Sequence, residues 1–388
     1  MRIGINALFM IPGGVGGSET YLRNLIEHLG RIDHTNEYVV FTNREASNTF
    51  GLGPGNLREI PCPVRAKFRS ARVLYEQLLL PPQAKKHDVE VLHSPGYTAP
   101  GLAPCASVVT IYDLNFLRHP EAFSRLSALS LRILVPMAAR SSDMIITLSK
   151  SSMRDIVGAL GVPKDKVRVI YPAASVPLSE RGGSTMNHLR ASYGIHGRFI
   201  LTVAASHPHK NLCRLVEAYH ILRREYSVDH QLALVGLKGR DHSRLMNLIA
   251  ELSLEDDVVV TGWIPGEHRA LIYEAADVFV FPSLFEGFGI PVLEAMMHGV
   301  PVVSSDAPSL CEAAGDATIV IDPHNVGEMA AAIHDALMDP GLRASLVERG
   351  YSQAKKFSWN ETARQTLAVY EEAANRAAAG GSRWRSPT

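Results

Sequence analysis

Short apolar segments alternate with longer segments of helical periodicity along most of this chain. Between most of the short segments, apolar residues recur every three or four positions, as in Glu19–Leu29 and Phe123–Ala139. Strands that alternate with helices predict a mostly parallel sheet covered on both faces. The first series of predicted strands is RIGINA (2–7), EYVVFT (37–42), EVLHS (90–94), SVVTIYD (107–113), MIITLS (144–149) and VRVIYP (167–172).

A second series of the same kind begins after residue 198. Residues 173–198 are rich in Ala, Ser, Pro and Gly without apolar periodicity, which is typical of a linker. A chain of 388 residues also exceeds one ordinary core. The second series of predicted strands is FILTVA (199–204), QLALVG (231–236), VVVTGW (258–263), VFVFPS (278–283), PVVSSD (301–306) and ATIVID (317–322).

These two series predict an α/β protein of two doubly wound, Rossmann-like domains, at 1–172 and 199–358, that face each other across a cleft. An amphipathic segment at 359–376 predicts a final helix that packs back on the first domain. The tail at 377–388 is small, polar and basic, and we expect it to be disordered. Ligands of such sheets bind beyond the carboxyl ends of the strands, so two domains of this kind favour a two-substrate enzyme.

Composition excludes several other classes of protein. Apolar residues make up 46% of the chain and charged residues 20%, which suits a soluble globular protein. Lys plus Arg balance Asp plus Glu at 39 each, so the net charge argues neither for nor against a polyanionic partner. We expect no nucleic-acid partner. The four cysteines lie far apart and predict neither disulfides nor a zinc site. No apolar run reaches the roughly 20 residues that span a bilayer, and we expect a cytoplasmic protein.

The most informative motif is FPSLFEGFGIPVLEAM at 281–296. A strand is predicted to end near Ser283 and a helix to begin at Pro291, with glycines between them. Such a helix start attracts negative charge, and a diphosphate fits it. Since carboxylates repel phosphates, we expect Glu286 and Glu294 to bind neutral hydroxyls instead. The alternative is a solvent-facing helix with ordinary acidic residues.

A second motif, HPHKNLCRLVEAY at 207–219, directly follows the strand at 199–204. Lys210 lies where a helix is predicted to begin, so its ammonium and the helix amides would converge on one phosphate. The alternative is a lysine on a solvated helix start. A third motif, PGGVGG at 12–17, is a glycine loop between the first strand and helix. It lacks the third glycine of a dinucleotide fingerprint, because Glu19 stands there, and NAD binding is disfavoured.

The segment at 281–296 resembles the EGFGxPxxEAM signature of the family four retaining glycosyltransferases, which have the GT-B fold. The resemblance implies that Glu286 lines the donor-sugar pocket, that residues 287–289 approach the sugar and phosphates, and that Glu294 holds the ribose. It also implies that Lys210 stabilises the leaving diphosphate. Several members have an arginine where this chain has Ala204, and His207 or His209 would compensate only in part.

Further segments carry the resemblance into the first domain. The glycine loop resembles the one that approaches donor and acceptor in the family. In TIYDLNFLRHPEAF (110–123), Asp113 matches the family, whereas Tyr112 replaces a frequent histidine. His93 is a further candidate, with a structural role as the alternative. We predict catalytic roles for Lys210, Glu286 and Asp113. The predicted substrate-binding residues are Gly14, Gly16, Gly17, His93, Tyr112, His209, Trp263, Ile264, Ser283, Gly287, Phe288, Gly289, Ile290 and Glu294.

Together these features predict a hexosyltransferase that uses a nucleotide-diphosphate sugar and retains the anomeric configuration. The segments at 108–121 and 262–265 resemble bacterial mannosyltransferases, so GDP-mannose is the favoured donor. No DxD-type motif is present among the candidates, and we expect neither a metal ion nor another cofactor. The expected acceptor is a glycan or a polyprenyl-diphosphate-linked sugar in surface polysaccharide synthesis. The alternatives are a UDP-hexose donor, a nucleotide-sugar epimerase and a non-catalytic sugar-nucleotide-binding protein.

A basic amphipathic stretch at 58–86 predicts contact with an anionic membrane surface. Apolar residues are interleaved there with seven cations and only two acidic residues, Glu59 and Glu76. We expect peripheral binding at the inner face of the cell membrane. The alternative is an ordinary solvated helix face. The cations are Arg58, Arg65, Lys67, Arg69, Arg72, Lys85 and Lys86.

Overall fold

The computed structural model describes residues 1–51, 55–120, 123–175 and 191–379. The chain forms two compact units. The first contains Met1–Pro172 and Ser358–Thr388, and the second contains Ala173–Phe357. The chain therefore leaves the first unit once and returns to it at the end.

The first unit is built on a parallel sheet with the strand order β3-β2-β1-β4-β5-β6-β7. The order reverses between β1 and β4, where Ile5 lies beside His93. The helices cover an interior in which most strand residues are buried. The strands are β1 (Arg2–Ala7), β2 (Glu37–Thr42), β3 (Leu57–Pro61), β4 (Val91–Ser94), β5 (Ala106–Thr110), β6 (Met144–Thr147) and β7 (Val167–Val169). The helices up to Pro172 are α1 (Gly17–Ile32), α2 (Arg69–Leu78), α3 (Leu80–Lys86), α4 (Asn115–Arg118), α5 (Arg125–Ser141) and α6 (Lys150–Leu160).

The second unit has a parallel sheet with the strand order β10-β9-β8-β11-β12-β13. Its order reverses between β8 and β11. Its strands are β8 (Phe199–Val203), β9 (Gln231–Val235), β10 (Val258–Gly262), β11 (Val278–Phe281), β12 (Val302–Ser305) and β13 (Ile319–Ile321). Its helices are α7 (Leu212–Arg224), α8 (His242–Glu251), α9 (Gly266–Ala275), α10 (Ile290–Met297), α11 (Pro308–Ala314), α12 (Val326–Met338) and α13 (Pro340–Ala354).

The last helix, α14 (Trp359–Ala379), packs within the first unit. One face of it is buried against α1 and the sheet, with Trp359, Val369 and Tyr370 among the buried residues. Two ion pairs fasten it to the β7 region: Arg168 to Glu372 at 2.6 Å and Arg376 to Asp165 at 3.0 Å.

The prediction of an α/β protein with two doubly wound parallel sheets is confirmed. Most strands end one to three residues before their predicted ends, so Asp113 and Ser283 lie in loops. The strand β3 was not predicted, and it takes up the start of the basic stretch at 58–86. Of the predicted linker, residues 176–190 lie outside the described residues. The final helix continues to Ala379 rather than ending at 376, and 380–388 of the predicted tail lie outside the described residues. Among the described helices, none has the length and apolarity that a membrane span requires.

Candidate functional site

The second unit brings two predicted motifs together where its strand order reverses. The loop after β8 carries Lys210, and the loop after β11 carries Glu286. Because both loops follow the carboxyl ends of neighbouring parallel strands, they meet at one edge of the sheet, which is where ligands of such sheets bind. The polypeptide there places one cation and one carboxylate side by side.

Lys210 and Glu286 form an ion pair through Nζ and Oε1. Their side chains are only 18% and 13% exposed, so the pair is shielded from most of the solvent. The ammonium also lies 5.3 Å from the centroid of the Phe281 ring, which adds a cation–π contact. The Phe281 ring therefore lies against the ammonium of the pair.

Hydrogen bonds connect the two loops. The backbone N–H of Leu284 donates to the His209 carbonyl at 2.7 Å. Asn211, in the left-handed conformation with φ 60°, donates its side-chain amide to the Pro282 carbonyl at 3.2 Å. From α11, the Ser309 hydroxyl donates to the Glu286 carbonyl at 2.7 Å. These bonds fix the relative position of Lys210 and Glu286.

The glycine segment at 287–289 leads directly into α10. Gly289 has φ 117°, and a Cβ placed on it would lie 2.5 Å from Leu310 Cδ2, so only glycine fits there. Phe288 is buried, with its ring edge-on to Phe357 at 5.4 Å. Ser283 and Gly287 are also buried, and Ile290 is the first residue of α10. The loop between β11 and α10 is therefore packed against the interior of the second unit at Ser283, Gly287 and Phe288.

His207 and His209 lie beside Lys210 with stacked rings, whose centroids are 5.8 Å apart. The backbone N–H of Arg240 donates to His207 Nδ1 at 3.4 Å. Burial, followed by the positive charges of Lys210 and Arg240, lowers the pKa of His207. His207 is therefore neutral near pH 7, and its proton lies on Nε2 because Nδ1 accepts a hydrogen bond.

Glu294 lies on α10 and is only 3% exposed. Tyr273 donates its hydroxyl to Oε2 at 2.9 Å, and Ser175 donates its hydroxyl to Oε1 at 2.6 Å. Arg269 lies 3.6 Å from Oε1. Trp263 and Ile264 precede α9, the helix that carries Arg269 and Tyr273. Trp263 is 53% exposed and Ile264 is buried.

The predicted glycine loop of the first unit follows β1. Gly16 has φ 62° and caps α1, and a Cβ at Gly16 or Gly17 would meet nothing within 4 Å. At Gly14, in contrast, a Cβ would lie 2.9 Å from Ile11. Glu19 accepts a hydrogen bond from the Gly13 N–H at 2.8 Å, which holds the loop against α1.

Two further predicted site residues of the first unit, Asp113 and Tyr112, already form hydrogen bonds within that unit. Asp113 accepts a hydrogen bond at 2.9 Å from the N–H of Asn115, the first residue of α4. Tyr112 is buried, and its hydroxyl donates to the Pro95 carbonyl at 2.5 Å. Its phenol is thus already engaged within the unit.

His93 is buried inside the first unit, which favours the structural alternative over the predicted contact with substrate. Its side chain has no exposed surface. Nδ1 lies 2.8 Å from the Tyr370 hydroxyl, and Nε2 lies 2.8 Å from the Thr110 hydroxyl, so both ring nitrogens are engaged inside the unit. Burial lowers the pKa of His93 to about 3, which keeps the ring neutral. The ring joins β4 and β5 to α14.

Two family models match the chain, one in each half. Residues 15–176 match the model described as Glycosyltransferase Family 4, and residues 188–353 match Glycosyl transferases group 1. O-antigen chain mannosyltransferase B of Escherichia coli is 31% identical over 282 residues, which cover 72% of this chain and 74% of that protein. The chain belongs to the family four glycosyltransferases. The resemblance to this family that the EGFG motif indicates is thereby confirmed.

Other relatives of this glycosyltransferase match shorter parts of it. The MMP alpha-(1->4)-mannosyltransferase of Mycolicibacterium hassiacum is 32% identical over 246 residues, 62% of this chain and 57% of that protein. The serotype-specific mannosyltransferase WbdA of Escherichia coli is 28% identical over 230 residues, and the chain spans only 28% of its length.

Solved structures show the same fold at low identity. Sucrose-phosphate synthase from Thermosynechococcus elongatus superposes with a TM-score of 0.78 at 20% identity, over 96% of this chain and 98% of that chain. Anabaena HepE, in complex with UDP and glucose, superposes with a TM-score of 0.75 at 20% identity, over 96% of this chain and 100% of that chain. At these identities the likeness establishes the GT-B fold alone.

Several residues around the site of this glycosyltransferase were not among the sequence candidates. Arg269 and Tyr273 lie four positions apart on α9, and nothing in the sequence indicates their contact with Glu294. Asn211 and Ser309 act through backbone carbonyls, which leaves no signature in the sequence. Within the described ranges, no group of three or more His, Cys, Asp or Glu side chains is arranged to hold a metal ion.

Proposed function

We propose that this glycosyltransferase moves a hexose from a nucleotide-diphosphate sugar to a glycan or a polyprenyl-diphosphate-linked acceptor in surface polysaccharide synthesis. The Lys210–Glu286 pair carries the proposal, since a cation suits a leaving diphosphate and a carboxylate suits sugar hydroxyls. GDP-mannose is the donor that we favour, because relatives named as mannosyltransferases match most of the chain. UDP-linked hexoses come next.

The proposed reaction retains the anomeric configuration. The acceptor hydroxyl oxygen bonds to the anomeric carbon on the face from which the diphosphate leaves, the bond from that carbon to the phosphate oxygen breaks, and the hydroxyl proton passes to the departing phosphate. Lys210 stabilises the negative charge that accumulates on that phosphate. Its ammonium has three N–H donors and can bind a phosphate oxygen while it keeps Glu286. We propose turnover without a divalent ion, because the motif residues include no DxD sequence.

Nucleotide binding is the first test of this proposal. GDP, UDP and ADP are added to the wild type, to Glu294→Ala and to the control Glu348→Ala, an exposed residue of α13. A nucleotide at 100 times its Kd adds about 2.7 kcal/mol of stability, which a thermal melt detects. We expect one nucleotide to stabilise the wild type and the control but not Glu294→Ala. If none of the three stabilises the wild type, the donor site is wrong.

Transfer kinetics separate this proposal from its alternatives. Lys210→Ala should lower kcat by about 10²–10³ with a smaller change in donor Kd, because the charge that it stabilises develops in the transition state. Lys355→Ala, an exposed lysine on the same unit, is the control. An epimerase would convert the donor with no acceptor present, and a non-catalytic binding protein would bind the nucleotide without transfer.

We further propose that the protein acts at the inner face of the cell membrane, on a surface formed by α2 and α5. Gly101 lies between the two helices, because a Cβ on it would be 3.6 Å from Gln77 on α2 and 3.3 Å from Met137 on α5. Glu76, one of the two acidic residues of the basic stretch, is buried and accepts a hydrogen bond from Asn6. The surface has more than half-exposed apolar side chains at Leu74, Leu78, Leu102, Leu126, Leu129 and Ile133.

Two exposed cations, Arg125 and Arg132, lie on α5 and directly precede Leu126 and Ile133 in the sequence. An exposed apolar face with a basic border is what an anionic lipid surface binds, at about 1 kcal/mol per cation. Liposome pelleting tests this, with neutral vesicles beside vesicles that contain anionic lipid. Arg125→Glu with Arg132→Glu, and separately Ile133→Ser, should weaken anionic pelleting, whereas Met338→Ser on the second unit should not. Equal pelleting with both vesicles would contradict the proposal.

A further inference from the structure

The buried carboxylate of Glu294 receives hydrogen-bond donors on both of its oxygens. Tyr273 donates to Oε2 at 2.9 Å. Ser175 donates to Oε1 at 2.6 Å, and Arg269 lies 3.6 Å from the same oxygen. A carboxylate oxygen has two lone-pair directions, so each oxygen retains the capacity to accept one further hydrogen bond.

Arg269 and Tyr273 approach Glu294 from the same helix. They are four residues apart on α9, so they lie one above the other on one helix face. The Tyr273 ring is fully buried and stacks on His298, with ring centroids 5.6 Å apart and planes at 8°. It also packs against Phe279 at 5.7 Å. The packing of the ring therefore fixes the position of the Tyr273 hydroxyl, independently of its hydrogen bond to Glu294.

The electrostatics of the cluster keep each group in the state that the contacts require. Burial raises the pKa of Tyr273 well above its ordinary value, and the negative charge of Glu294 raises it further, so the phenol keeps its proton and donates. A carboxylate that is 3% exposed is costly unless a cation is close, and Arg269 supplies that charge. Glu294 can remain an acceptor of hydroxyl groups.

Ser175 indicates what kind of group Oε1 accepts. It belongs to neither α9 nor α10, and it is an aliphatic hydroxyl, which is the chemical class that a ribose presents. Arg269 and Tyr273, in contrast, belong to the scaffold of the unit. A ligand hydroxyl could therefore replace the Ser175 hydroxyl on Oε1, while Arg269 and Tyr273 continue to hold the carboxylate in place.

We propose that Arg269 and Tyr273 are positioning residues that orient the Glu294 carboxylate to accept the ribose hydroxyls of the donor nucleotide, with Ser175 occupying one of those positions in the free protein. This inference rests on the proposed nucleotide site. In this proposal, Arg269 and Tyr273 do not touch the nucleotide. The preference of the protein for a ribonucleotide nevertheless depends on them, because they orient Glu294.

The test compares GDP with 2′,3′-dideoxy-GDP, and UDP with 2′,3′-dideoxy-UDP, by calorimetric titration. The wild type should bind the ribonucleotide at least about tenfold more tightly, because a hydrogen bond to a charged group is lost in the dideoxy form. Tyr273→Phe and Arg269→Met should lower the ratio of the dideoxynucleotide Kd to the ribonucleotide Kd at least about fivefold. Both variants should leave the Kd of the dideoxynucleotide unchanged. Arg269→Lys should restore part of it.

Matched controls are Tyr226→Phe and Arg224→Met, which alter partly or fully exposed residues of the second unit. Both should keep the wild-type ratio. Tyr273→Phe removes one oxygen from a ring that stays packed, so a folded variant is available for the measurement. An unchanged ratio in Tyr273→Phe and Arg269→Met, beside a collapsed ratio in Glu294→Gln, would overturn the positioning role and leave the nucleotide site intact. Absence of any nucleotide binding by the wild type would instead refute the proposed function, and this inference with it.

Discussion

Removing one member of the Lys210–Glu286 pair should destabilise the second unit more than removing both charges. Lys210→Met leaves a carboxylate that is 13% exposed without its cation, and Glu286→Gln leaves an ammonium that is 18% exposed without its anion. In the double variant, neither uncompensated charge remains. The two single substitutions are therefore expected to be strongly non-additive.

The structure sets the size of this effect. Breaking a fully buried ion pair on one side costs about 3–5 kcal/mol. Since roughly a sixth of each side chain is exposed, we expect about 2–3 kcal/mol for Lys210→Met. Lysine reaches water more easily along its flexible stem, so Glu286→Gln should cost about 1–2 kcal/mol. The double variant should cost no more than about 1 kcal/mol relative to the wild type. The two single costs together are about 3–5 kcal/mol, so the coupling energy should be about 2–5 kcal/mol.

Urea denaturation followed by circular dichroism supplies the four free energies of unfolding. Lys355→Met, which alters an exposed lysine of the same unit, should change the free energy of unfolding by less than about 0.5 kcal/mol. Additivity of the two single variants would refute the reasoning, because it would mean that water already compensates each charge separately.

Three further predictions concern other parts of the chain. Gly289→Ala should destabilise the second unit by about 1–3 kcal/mol, because Gly289 has φ 117° and a Cβ there would lie 2.5 Å from Leu310. Gly158→Ala in α6 is the control, since a Cβ there would meet nothing within 4 Å, and it should be neutral or stabilising. Thermal melts measure both effects. Gly239→Ala should weaken nucleotide binding in a titration, because its Cβ would lie 2.3 Å from the Ser206 carbonyl oxygen and would displace the loop that carries Lys210; an unchanged Kd would argue that the β9 loop does not support the site. His93 has a pKa of about 3 in the folded protein, against an ordinary value of 6.5. Between these two pH values the unfolded chain binds a proton that the folded protein does not bind. The free energy of unfolding should therefore fall as the pH drops from about 6.5 towards 3, by up to about 1.4 kcal/mol per pH unit. His93→Gln should remove that part of the slope in denaturation measured from pH 7 to 4, and identical slopes would contradict the buried neutral state.

The fold was readable from the sequence because alternation of strand and helix has only a few three-dimensional solutions. Twelve of the thirteen described strands were found from their apolar runs, and the sequence placed Lys210 and Glu286 in loops that follow predicted strands. The strand β3 was missed because LREIP is short, contains two charged residues and lies at the edge of its sheet, so it carries little apolar signal.

The site could be predicted only as far as local motifs reach. A lone histidine such as His93 has the same sequence signature whether it is buried or exposed, and only its contacts with Tyr370 and Thr110 decide between them. The contacts of Arg269 and Tyr273 with Glu294 join two separate helices, α9 and α10, and no local motif records them. The same limit applied to Glu76, which counted as a surface charge in the basic stretch and lies in the interior.

The return of α14 to the first unit has a consequence for synthesis of the protein on the ribosome. The helix covers part of the sheet of that unit, and Thr362 donates to the Tyr171 carbonyl at 2.7 Å, close to where the chain first left. Residues 173–357 must be translated before this helix exists, which takes roughly 10 to 40 s at about 5–20 residues per second. During that interval the apolar surface that later contacts Trp359 and Tyr370 is exposed on the nascent first unit.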